Sequence, residues 1–301
     1  MGTPDFAVPT LQTLVENNYQ VVAVITAPDK PAGRGLKLAQ SPVKEYAVSK
    51  GIPVLQPTNL KAEFFLEELR SFKATLQIIV AFRMLPEVVW QMPALGTFNI
   101  HASLLPQYRG AAPINWAIIN GETETGATSF FLRHQIDTGD MLLQDRLPIS
   151  PNDDFGSMYE KLKHAGAALA LKTVQSIATG NVQPQPQPMS HELKEAPKIF
   201  KETCEITWHQ SATQVRNFIR GLSPYPTAWT TLEGKILKIF KAEIAPEGTQ
   251  SNTTPGTFAS DGKTYLHVTT ADGTLSLTDL QLEGKKRMTT EEFLRGYRLK
   301  L

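Results

Sequence analysis

Asn99 and His101 stand two residues apart at the end of a short apolar run, Thr97 to His101. In a strand that spacing sends both side chains from one face of the sheet. In an open α/β sheet the carboxyl ends of the strands are where ligands are held. An amide donor beside an imidazole can polarise a carbonyl and move a proton, the two tasks of an acyl-transfer site. Histidine suits the second task, its ordinary pKa of roughly 6.5 lying near neutrality. The same spacing also describes a strand-end pair bonded to nearby backbone. Asp137-Thr138-Gly139-Asp140 lies between two more apolar runs, Thr128 to Leu132 and Met141 to Leu147. A carboxylate at Asp137 would orient His101 or take its proton, although Asp and Gly are also ordinary turn residues. Aspartic proteases carry Asp-Thr-Gly too, but their dyad needs two such carboxylates. This chain has no second copy, and its strand–helix alternation does not suit an all-β protease.

Asp29 to Lys44 breaks the helix and strand periods for about a dozen residues, with Lys30, Arg34, Lys37 and Lys44 set against one acid, Asp29. A long loop inside a compact domain is usually functional or disordered. Gly33 and Gly35 among spaced cations suit phosphate contacts along a nucleic-acid backbone, and equally a solvated surface loop. Lys285, Lys286, Arg287, Arg295, Arg298 and Lys300 form a second basic cluster, either a phosphate-facing patch or a solvated edge. His134, His164, His191, His209 and His267 show no metal-ligand spacing. Neither a dinucleotide fingerprint nor a Walker A sequence is present.

These groups need a scaffold, and the chain spells one. Val21 to Ala27 and Thr75 to Phe82 are continuous apolar runs of the kind found in buried parallel strands. Helical patterns separate them: Phe6 to Glu16, Pro42 to Lys50 behind a Ser41 cap, Ala62 to Phe72, and Leu85 to Met92. The alternation predicts βαβ units and a mostly parallel sheet covered on both faces. From a cap at Asp153 or Asp154 a long helix should run to about Thr179 and stop at Gly180. Three alternating prolines in Asn181 to Pro188 then favour an extended spacer. Beyond it a helix, Ser211 to Leu222, precedes short strands punctuated by Glu233-Gly234, Asp261-Gly262 and Asp272-Gly273, which predict hairpins and a small antiparallel barrel. The expected organisation is a catalytic domain over 1–180, a linker over 181–198 and a barrel over 199–301. The first helix has no strand before it, so the sheet is expected to lack its first strand, the chain as written starting about ten residues late.

Composition narrows the class. The 301 residues carry 30 basic and 29 acidic side chains, a formal charge of +1, so any nucleic acid must be held by a local patch. With 41% hydrophobic and 20% charged residues the chain reads as a soluble globular protein. The one cysteine, Cys204, excludes an intrachain disulfide and any multi-cysteine metal site. No apolar run approaches the ~20 residues of a membrane span. The expectation is a cytoplasmic monomer that binds no membrane and no metal.

Asn99-x-His101-x-Ser103-Leu104-Leu105-Pro106, then Tyr108-Arg109-Gly110-Ala111-Ala112-Pro113, then Asp137-Thr138-Gly139-Asp140 together resemble the folate-dependent formyltransferases. Gly2-Thr3-Pro4-Asp5-Phe6, Pro31-Ala32-Gly33-Arg34-Gly35 and Ser41-Pro42-Val43-Lys44 are similar to the branch of that family acting on methionyl initiator tRNA. The likeness covers nearly the whole chain. It implies a Rossmann-like first domain and an OB-like barrel, and formyl transfer from 10-formyltetrahydrofolate, without a metal, to the amine of methionine on initiator tRNA. Asn99 would donate to the developing oxyanion, His101 would stabilise it or relay protons, and Asp137 would orient the imidazole or accept the ammonium proton. Ser103, Leu104, Leu105 and Pro106 would wall the folate pocket, with Val80 to Pro86, including Phe82, Met84 and Leu85, beside the pterin. Lys30, Arg34, Lys37 and Lys44 would meet the acceptor stem, Arg34 foremost, and the barrel would hold the tRNA flank through phosphates. Phe82-Arg83-Met84 departs from the Tyr-Gly pair common there. Relatives acting on a glycinamide ribonucleotide or a nucleotide-linked amino sugar would share the three polar residues. A tRNA-binding protein without catalysis is the alternative from another class.

Overall fold

The structure, a computed structural model, describes residues 1–32, 37–188, 192–246, 249 and 254–299. Strands and helices alternate at first: α1 (Val8–Glu16), β1 (Val24–Ile25), β2 (Lys30–Ala32), β3 (Lys37–Ala39), α2 (Pro42–Ser49), β4 (Val54–Leu55), α3 (Glu63–Ser71), β5 (Gln77–Val80), α4 (Glu87–Trp90) and β6 (Thr97–His101). Then come β7 (Arg109–Gly110), α5 (Pro113–Ile119), β8 (Glu124–Phe131), β9 (Met141–Pro148) and α6 (Phe155–Ala178). The remainder holds β10 (Glu195–Ala196), α7 (Ala212–Gly221), β11 (Ala228–Leu232), β12 (Lys235–Ile244), β13 (Phe258–Ser260), β14 (Leu266–Thr269), β15 (Thr274–Leu282), β16 (Met288–Thr289) and α8 (Thr290–Gly296).

Two compact units result, and they interleave in sequence: Met1–Gly110, Thr125–Leu147 and Tyr159–Lys194 form the first, Ala111–Glu124, Pro148–Met158 and Glu195–Leu301 the second. The second unit thus takes in two short segments, 111–124 and 148–158, besides the chain from Glu195 onward. The reason lies in α5, which packs on α7. Asn115 Nδ2 donates to the Gly221 carbonyl at 2.8 Å. A side chain on Gly221 would come within 2.6 Å of Ile119.

In the first unit β5 runs parallel to β6, while β8 pairs antiparallel with β6, setting Asn99 opposite Phe130 and His101 opposite Thr128. β9 completes this sheet, and β1 pairs in parallel with β4. At the place of the inner strand expected to be missing, Met1 and Gly2 lie between β1 and β5. The Gly2 amide donates to Ile25 (3.1 Å) and the Val80 amide to Met1 (3.0 Å). A cavity of about 430 Å³ beside them is lined by Val22, Val24, Leu76 and Ile78. One core joins Ile25, Leu55, Phe65, Leu69, Ile79 and Val89. Phe98 and Ile100 of β6 are buried, each contributing about 1.5–3 kcal/mol. Gly166 of α6 brings that helix onto Ile100, since a Cβ there would lie 3.1 Å from its Cγ2.

The second unit is an antiparallel sheet in the order β11-β12-β15-β14-β13, with β16 on β15. Turns fall at the three expected acid–glycine pairs and at Glu283-Gly284 as well, and Glu233 and Gly234 both have positive φ (48° and 76°), as a tight hairpin requires. Ser211 and Gln214 form a capping box on α7, whose Val215 and Ile219 enter the core with Leu237, Ile239, Leu275 and Leu280. Among the described residues no helix is long and apolar enough to cross a membrane.

Candidate active site

Strand alternation in β6 turns Asn99 and His101 to the face opposite Phe98 and Ile100. His101 is buried, with Nε2 2.8 Å from the Tyr108 carbonyl. A carbonyl only accepts, so Nε2 carries the hydrogen and Nδ1 is the nitrogen free to exchange a proton. Nδ1 lies 3.7 Å from Oδ2 of Asp137, longer than a hydrogen bond but within ion-pair reach once the ring is protonated. The half-buried Asn99 amide makes no hydrogen bond among the described residues, which leaves it open as a donor. Asp137 is thus brought to His101 across 36 positions of sequence, with Asn99 on the same strand face as the imidazole.

The Asp137 turn is held by residues that carry no local sequence signal. Asp137 itself has φ of 54°, a left-handed conformation that Asp tolerates. Its Oδ2 accepts the Gly110 amide at 3.0 Å. The Gln187 side-chain amide donates to the Asp137 carbonyl at 2.8 Å and the Gly139 carbonyl at 2.9 Å. In turn the Gln187 oxygen accepts from Arg109 Nε (3.0 Å) and its Nη2 (2.5 Å). Gln187 lies in the stretch read as a bare spacer, and Gln185 beside it bridges Met141. Gly139 is indispensable, because a Cβ there would lie 1.6 Å from the Phe131 carbonyl oxygen.

Of the residues expected to wall a folate pocket, several have their side chains turned into the protein. Ser103 is fully buried and its hydroxyl donates to the Gln107 carbonyl at 2.7 Å. Leu105 is buried, with its amide on Thr128 Oγ1 (3.1 Å) and its carbonyl accepting from Gln144 (3.1 Å). Leu104 and Pro106 are half-buried. Leu85 belongs to the core and the half-buried Phe82 packs against it, whereas Met84 is 71% exposed. Side chains of Ser103, Leu105 and Leu85 are therefore packed inside. The Arg83 guanidinium is tied to the Pro57 and Thr58 carbonyls.

The basic loop is a hairpin, β2 paired antiparallel with β3. Gly33, Arg34 and Gly35, and the side chain of Lys37, lie outside the described residues. Lys30 is exposed. Lys44, expected to face phosphate, instead closes the hairpin base: its ammonium lies 2.6 Å from Asp29 Oδ2 and 2.8 Å from Gln56 Oε1. Gln56 Nε2 completes the clasp on Asp29 Oδ1 (2.7 Å) and the Ala27 carbonyl (2.8 Å). The bond from Lys44, then that from Gln56, hold the Asp29 carboxyl below its usual range. In the second basic cluster, Arg287 is bound to Asp279 at 2.9 Å with its guanidinium 4.0 Å from the Phe240 ring centre.

Residues 1–174 match the family described as formyl transferase, and residues 198–298 match the formyl transferase C-terminal domain. The chain belongs to the formyl transferase family, with a Rossmann-like sheet domain and an antiparallel half-barrel. Its relatives point to one member in particular. Methionyl-tRNA formyltransferase of Bacteroides fragilis is 56% identical over 307 residues, covering 99% of this chain and 94% of that protein. The protein of the same name in Phocaeicola vulgatus is 57% identical over 308 residues, covering 99% and 94%. The structure of WlaRD, a sugar 3N-formyl transferase in the presence of dTDP and 5-N-formyl-THF, superposes with a TM-score of 0.69. It is 21% identical, covering 95% of this chain and 97% of that one.

Proposed function

We propose that this chain, acting as a cytoplasmic monomer, transfers the formyl group of 10-formyltetrahydrofolate to the free amine of methionyl initiator tRNA, producing N-formylmethionyl-tRNA. What supports the reading is the approach of Asp137 to His101, with Asn99 on the same face of β6, in a chain 56–57% identical to methionyl-tRNA formyltransferases along 99% of its length. The methionyl amine attacks only when neutral, so its ammonium first passes a proton to His101 Nδ1, and the Asp137 carboxylate stabilises the imidazolium so formed. As the C–N bond forms, the formyl oxygen gains negative charge. The open Asn99 amide donates to that oxyanion, a contribution of about 3–4 kcal/mol in comparable sites. Imidazolium at His101 adds its field and gives the Nδ1 proton to the folate nitrogen as the C–N bond to it breaks; the neutral imidazole then takes the surplus proton of the newly acylated nitrogen, leaving the formamide and tetrahydrofolate. Ser103 to Pro106 and Phe82 to Leu85 wall the folate side. Lys30, together with Arg34 and Lys37 near it in the sequence, is assigned to the acceptor stem, and the Asp29–Lys44–Gln56 clasp fixes the base of the hairpin.

The test is a formylation assay with 10-formyltetrahydrofolate and charged initiator tRNA, run beside a glycinamide ribonucleotide and a nucleotide-linked amino sugar. Formylmethionyl-tRNA is expected from the wild type, with a drop of about 10² or more in His101→Ala. In Arg34→Ala a large loss with tRNA but none with a small amine is expected. Turnover of a small amine and none of charged tRNA overturns the assignment.

A further inference from the structure

We propose that the second unit carries a binding site for one unpaired nucleotide of RNA, with a stacking platform for the base and ammonium groups for the phosphate. It rests on the reading that the substrate is a tRNA. The β11, β12 and β15 register aligns Trp229, Lys238 and Gln281 in one row. The flanking Leu237, Ile239, Leu280 and Leu282 are buried, so alternation turns that row outward. Over it lies a cavity of about 490 Å³, bounded by Ile199, Lys201, Tyr225, Trp229, Ile236 and Lys238. Such a volume falls in the roughly 300–1,000 Å³ range of small-ligand sites.

The chemistry of the lining selects the ligand. Tyr225 is 75% exposed, an unusual state for so large a ring, and Phe200 nearby in sequence to Lys201 is 53% exposed. The Lys198 ammonium stands 5.2 Å from the Phe200 ring centre. Trp229 donates its Nε1 hydrogen to the Lys201 carbonyl at 2.9 Å, which fixes the indole and spends its one polar group. Aromatic faces without hydrogen-bonding demands suit a nucleobase, since every base offers a π-face. Lys201 and Lys238 are exposed, and neither ammonium has an acceptor among the described residues. Lys285 and Lys286 continue the chain from Gly284 on the rim. Of the acids here, Glu283 already accepts the Ile236 amide at 3.2 Å, and Glu202 adjoins Lys201. Glu205, its backbone paired with Trp229, is a third carboxylate; the five ammonium groups, Lys198 included, outnumber the acids and favour an anion. Paired acceptor-stem bases have no free face, so the ligand is an unpaired nucleotide.

The experiment measures anisotropy of a fluorescein-labelled single-stranded RNA pentamer with the full chain across a salt series. Tyr225→Ala is expected to weaken binding roughly 5- to 150-fold and Tyr225→Phe to leave it near wild type. The Lys201→Gln/Lys238→Gln pair should flatten the salt slope by about 1.4, near 0.7 per lost contact. With charged tRNA, Tyr225→Ala should raise KM and leave kcat unchanged. No pentamer binding by the wild type, unchanged affinity in Tyr225→Ala, or tighter binding of a phosphopeptide than of RNA overturns the proposal. If charged tRNA is not formylated yet pentamer binding still depends on Tyr225, the nucleotide site stands and only the substrate assignment falls.

Discussion

Replacing Asp137 by Asn removes one charge and almost no volume. The variant amide oxygen can still accept the Gly110 amide, now bound at 3.0 Å, so the turn keeps its anchor. What disappears is the attraction between a carboxylate and a protonated imidazole 3.7 Å away. Unit charges at that distance interact by about 1 kcal/mol in water and about 4 kcal/mol at an effective dielectric constant of roughly 20. Both side chains are largely enclosed, at 7% and 13% exposure, which places the loss in the upper part of that span. About 3 kcal/mol corresponds to a rate loss of about 10². The pairing strengthens only as His101 becomes cationic, so the loss falls on kcat and spares the KM values. Single-turnover formylation of charged tRNA measures it, with Tm as a control that should move by no more than about 2 °C. A rate within about threefold of wild type would refute the assigned role of the carboxylate.

Gly139→Ala forces a methyl into the Phe131 carbonyl, and a stability loss of at least about 3 kcal/mol is expected, seen as a Tm drop of roughly 6–12 °C. Gln187→Ala frees the 137–139 turn: kcat should fall about tenfold with the folate KM and Tm little changed, whereas a purely structural glutamine would lower Tm instead. Asp29→Asn tests the clasp through pH. The folded carboxyl titrates below the unfolded value of about 3.9, so its contribution is complete above that pH and vanishes as pH falls through the folded value. The variant should therefore melt below wild type at pH 7, and the two Tm values should converge as pH falls below the folded titration; a constant gap would contradict the pairing.

The chemistry was more legible than its support. Asn99 and His101 could be placed on one face because strand alternation is a local rule, and the Ser41 cap could be read because a cap satisfies its own helix, here the Lys44 amide at 3.1 Å. Arg109, Gln187 and the Asp29–Lys44–Gln56 clasp act through hydrogen bonds spanning 12 to 78 positions, which no spacing announces. Lys44 shows the consequence: among loop cations it looked available for phosphate, and only the position of Asp29 reveals it as a structural tie. β4 was hidden for another reason, being two residues between Pro53 and Pro57, too short to display a period. The interleaving of the units was equally invisible, since it depends on how closely Gly221 lets two helices approach.

Gln187 sits downstream of the long helix, yet its amide steadies the turn bearing the acid. A protein trimmed at Gly180 would retain the amide, imidazole and carboxylate in full and lose the crossbar behind them. Efforts to shorten this enzyme to its chemistry-bearing half should cut no earlier than Lys194, where the first unit ends.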